Sequence, residues 1–352
     1  MMAGRTSLRG VTLRPLGPDD EREIVALWQA CAGDLYPLRA RLWRQITADN
    51  PNFQPSDVVV AVADPGDRGP GSPARIGPIV GFGYLGRSRG FVRGRRAWVH
   101  EGWLQLVAVT PGRQREGIGR AIVDRLVDEA RADGLTRVSI GGGIHYLFPG
   151  VPVDVLGMQP FFEALGARFK DKVYDVRTDL DGKATGDRER AALAKAGLVV
   201  RPMDPMEDEA VLALLDREFG LDWVYDMGWA FDHGMAADDV LLLLPADAPG
   251  GPVAADTMLG LAVLHQRGNR PLFGPRFWEG LLEPPSGGLG PIGIVERLRG
   301  RGIGRALLAA GLDTLHARGV RDCVIDWTTL LDFYGAFGFR PWKAYIQGDL
   351  PL

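Results

Sequence analysis

One phrase stands twice in this chain: Gln114-Arg115-Glu116-Gly117-Ile118-Gly119-Arg120-Ala121, and then Arg299-Gly300-Arg301-Gly302-Ile303-Gly304-Arg305-Ala306. Gly117 and Gly302 are 185 positions apart, and Gly119 and Gly304 are again 185 apart. Each copy follows an apolar run (residues 104–109 and 292–295) and opens a long amphipathic segment. In a strand, glycine turn and helix start, successive backbone N–H groups converge and the helix dipole favours negative charge. Two such cradles imply a tandem repeat that holds something phosphorylated.

A length of 352 residues accommodates two cores of the size that the repeat offset demands. The apolar share is 46% and the charged share 24%, the balance of a soluble globular protein. A net charge of −3 gives no electrostatic case for nucleic acid. Cys31 and Cys323 are the only cysteines, which argues against a disulfide framework and a cysteine-based metal site. The histidines (His100, His145, His233, His265, His316) have no metal-ligand spacing, so no metal is expected. No apolar run reaches membrane-spanning length, and MMAGRTSLRG lacks the apolar core of a signal peptide. The expectation is a soluble cytoplasmic protein with no membrane partner.

The repeat extends beyond the glycine phrase. Val11-Thr12-Leu13-Arg14-Pro15 matches Leu198-Val199-Val200-Arg201-Pro202 as an opening strand, and each precedes an acidic helix start (Asp19-Asp20-Glu21; Glu207-Asp208-Glu209). Apolar runs at 58–62 and 240–244 read as buried strands, with hairpin partners at 79–85 and 258–264. After the glycine phrases two helices are expected, stopping at Gly134 and Gly319, then strands at 138–140 and 324–325.

Phe161-Phe162-Glu163-Ala164-Leu165-Gly166-Ala167 answers Phe333-Tyr334-Gly335-Ala336-Phe337-Gly338-Phe339, but Phe162 and Tyr334 are only 172 positions apart. The first unit therefore carries 13 extra residues, 185 less 172, within 141–160, to line a channel, cap the other half or pack. Polar, glycine-containing residues 181–189 are the linker candidate. The expected organisation is a first domain at 1–183, a linker at 184–197 and a second domain at 198–352.

This order of elements, closing on Phe-Tyr-x-x-x-Gly-Phe, resembles the GNAT N-acyltransferase superfamily, once per half of the chain. The loop consensus Arg/Gln-x-x-Gly-x-Gly/Ala is met by Gln114, Gly117 and Gly119, and again by Arg299, Gly302 and Gly304. A Walker loop would need Gly-Lys-Ser/Thr, whereas arginine follows Gly119 and Gly304. A dinucleotide fingerprint would put its first glycine at the strand end, whereas arginine-rich turns intervene here. The resemblance implies α/β architecture: two tandem folds, each a mixed, mostly antiparallel twisted sheet flanked by helices. It also implies acetyl-coenzyme A as donor, its pyrophosphate on the loop and its pantetheine arm along the preceding strand. Carried over, the coenzyme-binding positions are Ile294, Val295, Arg299, Gly300, Arg301, Gly302, Ile303, Gly304 and Arg305. In the first unit they are Val107, Val109, Gln114, Arg115, Gly117, Ile118, Gly119 and Arg120.

In that family the tyrosine of the closing motif stands near the coenzyme sulfur as general acid. Tyr334 fills this position in the second unit; in the first it is Phe162, which has no proton to donate. The second unit is therefore expected to be catalytic and the first structural, regulatory or a contributor to the shape of the acceptor site. Glu101, Glu283 and Asp326 are available as bases, but each also reads as a solvated acid, and a water chain would serve equally.

The acceptor pocket of the family lies between the first helix pair and later strand ends. The aromatic and acidic residues Trp223, Tyr225, Asp226 and Trp229, with Trp327 as a further wall, would suit a cationic small-molecule amine, or would simply be core. The basic run Arg87, Arg89, Arg93, Arg95 and Arg96 reads as a solvated hairpin or a site for an acidic partner. Two alternatives stay open beside a direct-transfer N-acetyltransferase. One is an acyl-coenzyme-A sensor with little catalysis; the other is an enzyme using a longer acyl donor.

Overall fold

The computed structural model describes residue 8 and residues 10–64, 77–89, 91–92, 95–96, 100–181, 187–266, 268 and 272–352. The chain opens with β1 (Val11–Pro15), α1 (Glu21–Ala32), α2 (Ala40–Ile46), β2 (Val58–Ala63) and β3 (Ile79–Arg87). Two short strands follow, β4 (Phe91–Val92) and β5 (Arg95–Arg96), then β6 (Glu101–Val109), α3 (Ile118–Ala132) and β7 (Arg137–Ile140). Next come β8 (Val151–Pro152), α4 (Met158–Ala164) and β9 (Arg168–Asp179). The second series is α5 (Asp187–Lys195), β10 (Leu198–Pro202), α6 (Asp208–Glu218), α7 (Leu221–Asp232), β11 (Val240–Pro245) and β12 (Gly260–Gln266). It closes with α8 (Gly274–Phe277), β13 (Ser286–Ile294), α9 (Ile303–Ala317), β14 (Asp322–Thr328), α10 (Leu331–Gly335) and β15 (Arg340–Leu350).

The chain divides into two compact units, and they are not the consecutive ranges 1–183 and 198–352 that the sequence led us to expect. One comprises residues 1–90, 98–172 and 345–352; the other comprises 91–97 and 173–344. In the first unit the sheet runs β1-β2-β3-β6-β7 and ends on residues 348–350 of β15, antiparallel to β7. In the second it runs β10-β11-β12-β13-β14 and ends on residues 174–179 of β9, antiparallel to β14. The terminal strand segment that follows each unit's last helix thus completes the other unit's sheet. Residues 184–197, expected as linker, include helix α5, whose Leu193 packs on the core of the second unit.

Both units repeat one internal plan. Neighbouring strands are antiparallel except for one parallel pair in each, β6 with β7 and β13 with β14. The long helices α3 and α9 cover one face through Ile118, Ile122, Leu126 and Ala130, and through Ile303, Leu307, Leu308 and Leu315, all nearly inaccessible to water. Each leucine or isoleucine among them contributes about 2 kcal/mol of burial. The opening strands are fastened alike. Arg14 holds Asp20 through both guanidinium Nη atoms, and Arg201 holds Glu207 in the same way.

Candidate functional site

The parallel pair in each unit comes apart after a few residues. β13 pairs with β14 only at Ser286, Gly287 and Gly288, yet continues to Ile294. β6 pairs with β7 only from Glu101 to Leu104, yet continues to Val109. Backbone N–H and C=O groups on a strand edge that has lost its neighbour call for another partner. An extended amide-bearing ligand could supply one by adding to that edge.

The two glycine phrases follow these strand ends and have the same backbone conformation. Gln114 lies at φ −68°, ψ 156° and Arg299 at φ −64°, ψ 158°. Arg115 (φ 67°) and Gly300 (φ 71°) are left-handed, as are Gly117 (φ 86°) and Gly302 (φ 80°), which begin α3 and α9. No side chain caps either helix, so its first-turn N–H groups face outward. Gly119 lies against Phe161, and Gly304 against Phe333 and Ile294, so the closing aromatic motif supports the loop in each unit.

The charges around the two loops differ. In the first, Arg113 is paired with Glu116 at 2.7 Å, Arg120 donates to the Ala164 carbonyl at 2.6 Å, and Gln114 donates to the Val109 carbonyl at 3.1 Å. In the second, Arg301 stands where the first has Glu116, and Arg305 lies 5.3 Å from the Phe337 ring centre. Among the described residues no ion pair or hydrogen bond engages the side chains of Arg299 and Arg301, both exposed. The second cradle therefore offers uncommitted positive charge, and the first has spent much of its own.

Tyr334 sits on α10 with its ring edge-on to Phe333 and Phe339, and is 6% exposed. Burial, reinforced by the negative charge of Asp326, pushes its phenol up to about 12. Among the described residues its hydroxyl has no hydrogen-bond partner. Asp326 lies on β14, beside Gly290 of β13, where the strands have parted. Trp327 follows in the left-handed region (φ 44°), its N–H donating to Asp175 at 3.2 Å. A bulky residue in that region is a strained outlier held by its surroundings.

Phe162, in the equivalent place of the first unit, is buried in that unit's core. The gap between β6 and β7 is filled there by the chain itself. Gln105, only 4% exposed, donates to the Gly142 carbonyl at 2.8 Å and accepts from the Leu147 N–H at 3.0 Å. Phe148 packs on Trp28, Tyr36 and Tyr345 at centroid distances of 5.8, 5.0 and 6.2 Å. Within the additional segment at 141–160, Leu147 and Phe148 thus pack into the first unit.

Four of the residues weighed for an acceptor pocket lie on α7. Trp223 stacks on Phe219 at 4.9 Å, and the Phe219 ring lies against Gly293 of β13. Tyr225 and Trp229 are buried, with Trp229 stacked on His233 at 4.3 Å, while Asp226 is half-buried on the same helix. Of the basic run, only the side chains of Arg87 and Arg89 are described. Arg87 and Arg89 both pair with the buried Asp57, at 3.3 and 2.6 Å; Arg93 lies outside the described residues. Glu101 pairs with Arg137 at 3.9 Å, and Glu283 is exposed.

Sequence reasoning missed His265 and Arg276, which belong to no motif. The available signal was the glycine-rich run Ser286-Gly287-Gly288-Leu289-Gly290, which marks a strand approached closely by another element. A cleft of about 660 Å³ lies at the far end of β14, lined by Arg177, Glu283, Asp322, Arg340 and Trp342 among others. Its Arg177 and Asp322 already satisfy one another, and it lies at the opposite end of β14 from Trp327. Among the described residues no His, Cys, Asp or Glu group is arranged to hold a metal ion, and no helix is long and apolar enough to cross a membrane.

Comparison with known proteins agrees with this geometry. The acetyltransferase (GNAT) family matches the chain over residues 72–148 and 209–339. A mycothiol acetyltransferase of Actinosynnema mirum is 28% identical over 249 residues, 68% of this chain and 72% of that protein. Among solved structures, the GCN5-related glucosamine N-acetyltransferase region of a fungal multi-domain GH3 β-N-acetylglucosaminidase superposes with a TM-score of 0.81 at 24% identity. That match covers 97% of this chain but only 38% of the fungal one. A tandem GNAT protein from the clavulanic acid biosynthesis pathway aligns at TM-score 0.59 and 18% identity, over 96% of this chain and 98% of its own.

Proposed function

The chain belongs to the acetyltransferase (GNAT) family and is an acyltransferase, and from that premise we propose that its second unit moves an acetyl group from acetyl-coenzyme A to a primary amine of a small molecule. One observation carries this reading. The second unit combines an uncommitted basic cradle, an open strand edge after Gly288 and a buried, protonated Tyr334. The first unit has Phe162 and a gap closed by Gln105.

Family members take the acetyl group from acetyl-coenzyme A, which would supply an activated thioester; the rest is the work of this chain. The N–H groups from Gly302 to Arg305, with the charges of Arg299, Arg301 and Arg305, would hold the pyrophosphate. The edge of β13 from Leu289 to Ile294, with Val295 beyond it, would hold the pantetheine amides. Tyr334 keeps its proton at neutral pH and would donate it toward the departing sulfur. Asp326 would face the amine and favour its approach as a cation. The nitrogen would then pass one proton to bulk water, attack the thioester carbonyl, and give up its second proton as the carbon–sulfur bond breaks, restoring the phenol. The equivalent positions of the first unit, Val107, Val109, Gln114, Arg115, Gly117, Ile118, Gly119 and Arg120, would form a cradle of similar backbone shape, with Phe162 where the second unit has the proton donor. We assign that unit a structural or coenzyme-holding role.

The test is release of free thiol from acetyl-coenzyme A across a panel of amines. Tight coenzyme binding without release for any amine would replace this reading with that of a non-transferring acyl-coenzyme-A sensor.

A further inference from the structure

The two faces of β13 are covered by different elements. A methyl group on Gly311 of α9 would meet Leu289, so the Leu289 side chain points toward α9. Methyl groups on Gly288 and Gly290 would instead meet Pro275 of α8, and the one on Gly290 would also meet Asp326 Oδ1 at 3.4 Å. Helix α8 therefore rests on the face that carries Asp326, the residue whose charge reaches Tyr334.

Two buried polar residues occupy this face without a role in the chemistry so far. His265, on β12, is 1% exposed, and its Nε2 lies 2.5 Å from the Gly290 carbonyl. Burial holds its imidazole down to about 4, despite that hydrogen bond and with help from the positive charge of Arg276. It is therefore neutral, with Nε2–H donating. Arg276, on α8, is 3% exposed and paired through Nη2 with Glu279. Its Nε and Nη1 have no hydrogen-bond partner among the described residues.

A buried donor without an acceptor costs about 1–3 kcal/mol, and more on a charged group. The missing acceptor need not bring charge, because Glu279 already balances the guanidinium. A carboxylate would leave surplus negative charge in a buried place, whereas a hydroxyl, ether or carbonyl oxygen would satisfy the donors at no such cost. Asp326, on the same face, suits the ammonium form of the amine.

We propose that Arg276 recognises neutral oxygen atoms of the acceptor, so that the substrate is a hydroxylated or carbonyl-bearing amine. It is neither a plain alkylamine nor an amino acid bearing a free carboxylate. This rests on the acetyl-transfer reading above and names the substrate class for the same site. Arg276 is a specificity residue here, reading the acceptor at a distance from the bond that forms.

The experiment compares matched primary amines by kcat/KM: amino alcohols and amino sugars, the corresponding deoxy amines, and amino acids of similar size. The wild-type protein should favour the hydroxylated members by about tenfold or more, chiefly through KM. Arg276→Met should reduce that ratio to within about threefold, and Arg276→Lys should restore part of it. Equal rates across the three classes, a preference for free carboxylates, or a preference that survives in a folded Arg276→Met protein would each overturn the assignment. If Arg276→Met does not fold, the wild-type ranking and Arg276→Lys decide. If no amine is turned over, the acetyl-transfer reading falls, and calorimetry of the same amines on coenzyme-loaded protein still judges Arg276. Hydroxylated amines must then bind more tightly than their deoxy partners for the assignment to stand.

Discussion

Arg115 and Gly300 occupy the same left-handed turn position, at φ 67° and 71°, 185 residues apart. The second cradle meets this requirement with the residue that adopts it freely, and the first with one that is strained there. Arg115→Gly should stabilise the first unit by about 0.5 kcal/mol, relief of strain being partly offset by the flexibility glycine adds to the unfolded chain. Gly300→Arg should cost the second unit about 1 kcal/mol. Urea midpoints of the two variants should move in opposite directions; shifts of one sign would mean that the loops are not equivalent.

Gly302 and Gly304 separate conformation from space. Gly302 needs its positive φ of 80°, so Gly302→Ala should cost about 1 kcal/mol. At Gly304 an added methyl would meet Ile294 at 3.7 Å and Phe333 at 3.9 Å, ordinary contacts, so Gly304→Ala should stay within about 0.5 kcal/mol. Gly302→Asp, which puts a carboxylate at the proposed phosphate cradle, should weaken coenzyme binding by about tenfold or more. Isothermal calorimetry showing unchanged affinity in that variant would remove the cradle from the binding site.

Tyr334→Phe should lower kcat by about tenfold or more and leave the dissociation constant for the coenzyme unchanged. Because the phenol titrates only near 12, kcat should show no loss from its ionisation up to about pH 10. A fall in kcat near pH 8 that disappears in the phenylalanine variant would contradict the environment described for this residue.

Glu207 ties the start of α6 to β10. Burial pushes its carboxyl up, but hydrogen bonds from Arg201 and from the N–H groups of Asp204 and Val253 bring it below its usual value. A depressed folded value means that the stabilisation is complete above the unfolded value of about 4.3 and is lost as pH falls through the folded one. Glu207→Gln should therefore destabilise the second unit by about 2 kcal/mol at pH 7, with the difference shrinking below about pH 4. Thermal melts of both proteins between pH 3 and 7 check the sign; a gap that widens in acid would reverse it.

The sequence by itself determined the repeated unit, the two cradles and the contrast between Phe162 and Tyr334. These are matters of local chain chemistry: a glycine before a helix, an apolar run before it and an aromatic pair after it read the same wherever the chain lies. Only the tertiary structure decided which edges the strand segments 174–179 and 348–350 complete, because alternation along a strand sets its buried face but not its neighbour. The same holds for Gln105, which closes the gap in the first unit by bonding to Gly142 and Leu147, about 40 residues away in sequence. Arg276, His265 and Gly290 likewise come from three separate elements, and their relationship exists only once α8 rests on two glycines of β13. Side-chain chemistry at long sequence separation is set by packing, and no periodicity records it.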